Sequence, residues 1–349
     1  MNPAVLGSLR GTRALVTGHT GFKGAWLAAW LNLLGAEVHG VALAPPARGS
    51  FVDLGVASYA HTIEADVRDA DAVDEAVKSV EPDIVFHLAA QPLVRAAWAD
   101  RRATYGTNVM GTVNVLEAAL AVPSVRGVVV VTTDKVYENN EEGRPFAEGD
   151  RLGGHDPYSA SKAAAEIAVG PYRRSDLMGL HVAPVTSVRA GNVIGGGDWS
   201  ADRLIPDIVR ALEAGENITL RRPDAVRPWQ HVLDCVHGYL LVAAAQLDGR
   251  PLSPAYNFAH ARGAATVLEV TRAAVKHWGA AQDRIVIERE TDAQEAGLLT
   301  LDPALAHKEL GWEPAWTLDE TIAETIRIYR DPSAGRAQIE EHMERTGSK

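Results

Sequence analysis

An α/β fold with a doubly wound parallel sheet and a smaller, interleaved C-terminal region is predicted by three observations. Strand-like and helix-like segments alternate from residue 13 onward. The strand-like runs are short and almost wholly apolar, as strands covered on both faces must be. The pattern then dissolves near residue 190 into irregular Gly, Pro, Trp and Arg before an apolar helical stretch resumes at His231.

The elements follow in order. Arg13 to Thr17 is a β-like run, a glycine-rich turn follows, and Ala25 to Leu34 carries apolar residues at helical spacing. Glu37 to Leu43 reads as the second strand and Ala70 to Ser79 as a helix. Ile84 to Leu88 is a strand behind Pro82 and Asp83. Tyr105 to Ala121 reads as one long helix, Gly127 to Thr132 as a buried strand of valines, Ser159 to Arg173 as a helix and Val185 to Arg189 as a strand. The division expected is 1–189 for a dinucleotide-binding region, with a returning segment near 230–262, and 190–349 mainly for substrate.

Composition narrows the function. With 349 residues, 46% hydrophobic and 23% charged, the chain suits one large or two joined globular domains. A net charge of -11 argues against a nucleic-acid partner, which requires clustered Lys and Arg. No apolar run reaches the roughly 20 residues needed to span a bilayer, so no membrane partner is expected. The lone Cys235 forms no internal disulfide and the N-terminus lacks a signal-peptide pattern, which points to the cytoplasm. None of the 12 histidines has metal-ligand spacing, and no metal is expected.

The first chemistry-bearing motif is Gly18-His19-Thr20-Gly21-Phe22-Lys23-Gly24. It leaves a strand and opens a helix, so backbone N–H groups and the helix dipole face a pyrophosphate in a Rossmann-type arrangement. A loop with no ligand would use glycines too; the strand-to-helix context favours binding. The acid expected about 20 residues further on to bind the ribose is replaced by Leu43-Ala44-Pro45-Pro46 with Arg48 nearby, so charge leaves NADP open beside NAD. Asp66 and Val67 are placed at the adenine edge, and Ala89, in Leu88-Ala89-Ala90-Gln91, near the nicotinamide half.

Tyr158 and Lys162 stand four apart, on one face of a helix. A free phenol has a pKa of about 10. A nearby ammonium and an oxidised nicotinamide favour phenolate, so Tyr158 is read as the base for a hydroxyl undergoing hydride transfer and Lys162 as its partner and a ribose ligand. That spacing alone is common on solvated helices; the glycine loop upstream gives it meaning. Thr133, Asp134 and Lys135 end the valine strand, at the edge where ligands of open α/β sheets bind. Arg189, Arg203, Arg221, Arg222 and Arg227 crowd the second region, where guanidinium forks suit a diphosphate, with Arg227 preferred.

Together these motifs resemble the extended short-chain dehydrogenase/reductase (NAD-dependent epimerase/dehydratase) family over nearly the whole chain. The stretches GHTGFKGAWL, HLAAQPLVR, TNVMGTVNVLE, DPYSASK, RAGNVIGGGDW, DRLIPDI and RPWQHV are similar to its sugar-nucleotide 4,6-dehydratases, in particular the branch acting on CDP-glucose. The resemblance implies C4 oxidation, loss of water across C5 and C6, and hydride return to C6. It implies Tyr158 as the C4-hydroxyl base, Lys162 as its partner and Thr133 at the same oxygen. Asp134 becomes the acid for the C6 hydroxyl, which requires it to hold a proton, and Lys135 the base for C5, which requires it to be neutral. It further implies Gly18, Thr20, Gly21, Phe22 and Gly24 around the cofactor, and Gln91, Arg95, Asn192, Arg203 and Arg227 around the substrate. The subunits are expected to form a homodimer or homotetramer through the helices Tyr105 to Ala121 and Ser159 to Arg173. The alternative is a 4-epimerase, or a dehydratase of another nucleotide sugar; family 4-epimerases usually carry small residues where Asp134 and Lys135 stand.

Overall fold

A computed structural model describes residues 5–139, 143–174, 179–260, 263–288 and 299–348. The first half runs β1 (Arg13–Thr17), α1 (Phe22–Leu34), β2 (Glu37–Ala42), α2 (Ser50–Asp53), β3 (His61–Glu64), α3 (Ala70–Val80) and β4 (Ile84–His87). It continues through α4 (Val94–Ala99), α5 (Arg101–Tyr105), α6 (Gly111–Leu120), β5 (Val128–Val131), α7 (Pro157–Tyr172) and β6 (Val185–Ala190). The long helix expected from Tyr105 to Ala121 is present as a continuous run from Arg101 to Leu120, in which a π-helical stretch at Gly106–Met110 joins α5 to α6.

The second half holds β7 (Val193–Ile194), α8 (Leu204–Ala214), β8 (Ile218–Leu220), β9 (Val226–Pro228), β10 (Gln230–His231), α9 (Val232–Leu247) and β11 (Ala255–Phe258). Then come β12 (Ala264–Thr266), α10 (Val267–Trp278), β13 (Ile285–Ile287), α11 (Ala304–Leu310), α12 (Leu318–Arg330) and α13 (Gly335–Thr346).

Seven parallel strands form the central sheet in the order β11-β6-β5-β4-β1-β2-β3. The chain reverses its direction of winding between β1 and β4, where Thr17 pairs with His87, and a crevice opens beyond the strand ends at such a switch point. One face is covered by α1, α9 and α13 through Trp26, Trp30, Val236, Leu240 and Ile339. The other is covered by α3, α6 and α7 through Val77, Val115, Leu116 and Val169. All four residues of β4 and of β5 are buried, which is why they read as unbroken apolar runs. A separate apolar cluster joins α8, α10 and α12 through Ile208, Val270 and Ile326.

The C-terminal helices lock onto the sheet layer through polar groups as well. His342 of α13 meets Asp234 of α9 at 2.9 Å with both side chains fully buried, and the Trp312 indole donates to Asp234 O.

Candidate active site

The glycine loop sits at the end of β1 as the sequence predicts. Gly18 has φ of 74°, and a Cβ on Gly24 would overlap Gly18 O, so neither position accepts a larger residue without moving the loop. Gly21 caps α1 with no side-chain hydrogen bond. The first-turn N–H groups are therefore left to an external acceptor, and this donor set fits the pyrophosphate of a dinucleotide. Thr20 is buried and donates to Leu43 O at 3.2 Å, Phe22 opens α1, and Ala89 N donates to the Thr17 hydroxyl at 3.1 Å while lying against Gly18.

Other expected cofactor contacts are engaged within the protein. Asp66 takes the Arg68 guanidinium at 2.9 and 2.5 Å and Arg68 N at 2.9 Å, and Val67 is buried with its carbonyl held by Asn114. Arg48 stacks on Trp199, 3.3 Å from the ring centroid, and pairs with Glu213 at 2.7 Å. The cation that left a 2′-phosphate open is thus already compensated.

The catalytic candidates converge at the ends of β5 and β6 and the start of α7. Asp156 caps α7 by accepting from Tyr158 N and Ser159 N, which sets Tyr158 in the first turn. Thr133 and Asp134 are 5% and 3% exposed, and the Thr133 hydroxyl donates to Asp134 Oδ1 at 2.9 Å. Burial raises the pKa of the Tyr158 phenol, opposed by a hydrogen bond with Thr133. Lys162 is buried and donates to Val131 O at 3.0 Å. Its pKa is lowered to about 8, first by burial and then by the charge of Lys23.

This differs from the expected pair: burial, which raises the phenol pKa, is the largest influence on Tyr158, while Lys162 is directed at the strand. Lys135 is half-buried beside Asp134 in a short 3-10 turn.

Lys23 was not singled out by spacing, yet its ammonium lies 3.5 Å from the Tyr239 hydroxyl inside the same crevice. Burial lowers its pKa, while Cys235, Asp134 and Asp198 act to raise it and Arg203 to lower it. Its position in the first turn of α1 was the available signal.

The substrate-side candidates divide. Arg203 lies 3.5 Å from Asp198 and its charge reaches Tyr158. Asn192, with φ of 44°, turns the chain away from β6. Arg227 is part-buried on β9 and donates to Val226 O at 2.9 Å. Gln91 holds its own turn through Leu93 N at 2.6 Å and Leu93 O at 3.1 Å, and reaches the Thr104 hydroxyl at 3.0 Å. Arg95 is exposed and pairs with Asp202 at 2.7 Å. Arg189 corrects the reading of the arginines as phosphate clamps: it is buried in a bidentate pair with Glu166 at 2.8 and 3.1 Å.

Known proteins resemble the chain over most of its length. CDP-glucose 4,6-dehydratase of Salmonella typhimurium strain LT2 is 40% identical over 328 residues, covering 92% of this chain and 91% of that enzyme. UDP-glucose 4-epimerase of Mycolicibacterium smegmatis is 29% identical over 332 residues, covering 92% and 99%. The crystal structure of dTDP-glucose 4,6-dehydratase from Streptomyces venezuelae, which has NAD bound, matches with a TM-score of 0.78 and 26% identity, over 91% of this chain and 97% of that one. The family model for the NAD dependent epimerase/dehydratase family matches residues 14–259, from the first strand through the glycine loop and the Tyr158/Lys162 helix to the last strand of the sheet, and the chain belongs to that family.

Proposed function

We propose that this protein is a 4,6-dehydratase that converts CDP-D-glucose to CDP-4-keto-6-deoxy-D-glucose. The observation that carries the reading is the buried Thr133-Asp134 pair at the end of β5, bonded internally, with the buried Tyr158 phenol near enough to feel the Asp134 charge. An oxidation base and an acid for elimination then share one pocket. The 40% identity to a CDP-glucose 4,6-dehydratase supports the choice of sugar nucleotide.

Bound NAD supplies a hydride sink for C4 and a hydride source for C6. Tyr158 takes the C4-hydroxyl proton, with Thr133 hydrogen-bonded at the same oxygen and Lys162 supplying positive charge. Asp134 protonates the departing C6 hydroxyl, and Lys135 takes the proton from C5, which the C4 ketone has made acidic. Asn192, Arg203 and Arg227 hold the nucleotide sugar, the arginines at its diphosphate.

CDP-glucose carrying deuterium at C4 tests this. The expected product is lighter by one water, with deuterium at C6 and a solvent hydron at C5. A product with C4 inverted and no water lost overturns the reading in favour of an epimerase.

The subunits pair through α5 to α7 in our reading. Tyr105, Met110 and Ile167 are 40%, 53% and 64% exposed on that surface, as an apolar self-contact requires. Ile167→Glu is expected to shift the sedimentation coefficient from that of an oligomer to that of a monomer; an unchanged value counts against this surface. Among the described residues no helix is long and apolar enough to cross a membrane. With a single, buried, unbridged cysteine, we assign the enzyme to the cytoplasm.

A further inference from the structure

Two buried residues, one against the elimination acid and one bonded to the first, have no role in the scheme above. Gly191 follows β6 directly, and its Cα faces the Asp134 carboxyl. A Cβ there would overlap Oδ2 and Cγ and come within 2.7 Å of Oδ1. Gly191 is not among the glycines with positive φ, so conformational freedom is not what glycine supplies at this position. What it supplies is room. The carboxyl is gripped between this bare stretch of backbone and the Thr133 hydroxyl on Oδ1.

The backbone that presses on Asp134 is itself held in place. Gln230 is 1% exposed, and its Nε2 donates to Gly191 O at 3.2 Å and to Phe258 O at 2.8 Å. Its main-chain N–H donates to Asn192 O at 3.4 Å, and it pairs with Val193 across the short β7·β10 ladder. The left-handed Asn192 then turns the chain away, so the Gly191 peptide has one place to lie. Gln230 thereby ties the last strand of the sheet, through Phe258, to the turn that touches the acid.

We propose that Gly191, clamped by the side-chain amide of Gln230, is the positioning residue that fixes the Asp134 carboxyl for proton delivery to the C6 hydroxyl. The proposal rests on the dehydratase reading. In the step it serves, Asp134 gives its proton to the C6 oxygen, the C6–O bond breaks and water leaves. The electron pair left when the C5 proton departs forms the C5=C6 double bond, so the step needs no added oxidant or reductant. A carboxyl displaced by about 1 Å slows such a transfer by about 100-fold.

The test is a double-mutant cycle read by product formation and by borodeuteride trapping of 4-keto nucleotide that still carries its C6 hydroxyl. Gly191→Ala is expected to lower kcat for dehydration by about 100-fold at nearly unchanged KM, with the trapped intermediate rising. In the Asp134→Ala background, where both the acid and the overlap are gone, the same change is expected to alter the residual rate less than twofold. Gln230→Met, which keeps bulk and removes the amide, is expected to act in the same direction by about 10-fold and provides the measurement if Gly191→Ala does not fold.

Equal loss in both Asp134 backgrounds, or oxidation and elimination falling together, overturns the proposal while leaving dehydration intact. A wild-type chain that does not dehydrate CDP-glucose overturns the dehydratase reading and the proposal with it.

Discussion

Tyr158→Phe is expected to lower kcat by about a thousandfold, the middle of the range for loss of a positioned general base. The phenol is buried beside Thr133, so Phe fills the same space and removes only the oxygen that exchanges the proton. Cofactor affinity, measured by calorimetry, should change little. A loss below tenfold would remove Tyr158 from the role of base.

The pH dependence of kcat/KM gives this prediction a second readout, because that ratio reports the free enzyme. Burial raises the phenol pKa, so the fraction of base grows with pH and the wild-type profile should climb from neutrality. It should bend over near pH 8, where the Lys162 ammonium, whose pKa burial and Lys23 lower to about 8, gives up its charge. The Phe variant loses the climb. A flat wild-type profile from pH 6 to 9 would contradict the assignment of both groups.

The sequence made the sheet legible because strands covered on both faces are continuous apolar runs, and Val128–Val131 is buried at every position. It made the Tyr158 and Lys162 face legible because helical spacing is a local property. What it could not show was how side chains distant in sequence compensate one another. Arg189 looks like a phosphate clamp until Glu166, 23 positions away, is found against it. Arg48 looks free until Trp199 and Glu213 are placed around it.

Gln91 and Asp66 have a more local second use: each closes a turn with the residue two positions on, and polar side chains do this as readily as they bind ligands. Lys23 was hidden by its setting. In a glycine loop the backbone draws the attention, and only the fold shows its ammonium entering the crevice beside Tyr239.

Glu166→Ala is expected to produce the largest loss of stability, about 3 to 5 kcal/mol in urea denaturation, by leaving the Arg189 guanidinium buried without its counter-charge. The two side chains are 1% and 5% exposed. Glu166 also accepts from the Thr132 hydroxyl at 2.7 Å, and Arg189 donates to the Tyr137 hydroxyl at 2.7 Å and to Glu148 O at 3.0 Å. This pair therefore joins the end of β5, the helix of Lys162 and β6, the three elements that carry the proposed chemistry.

Burial would raise the Glu166 pKa, but Arg189 together with the Thr132 and Ser187 hydroxyls outweighs it and holds the carboxyl below its usual range. A depressed carboxyl contributes stability that is present above its unfolded pKa of about 4.3 and is lost as pH falls through the folded value. Wild type should lose stability more steeply than Glu166→Gln as the pH drops below about 4. Replacing both partners, Glu166→Met with Arg189→Met, should recover much of the stability lost in Glu166→Ala, because no uncompensated charge remains in the interior. Activity should not recover with it, since the bond from Thr132 that holds the end of β5 against α7 and the bond to Tyr137 that holds it against β6 go with the pair. Joint recovery of stability and turnover would show that the ion pair fills space without aligning the site.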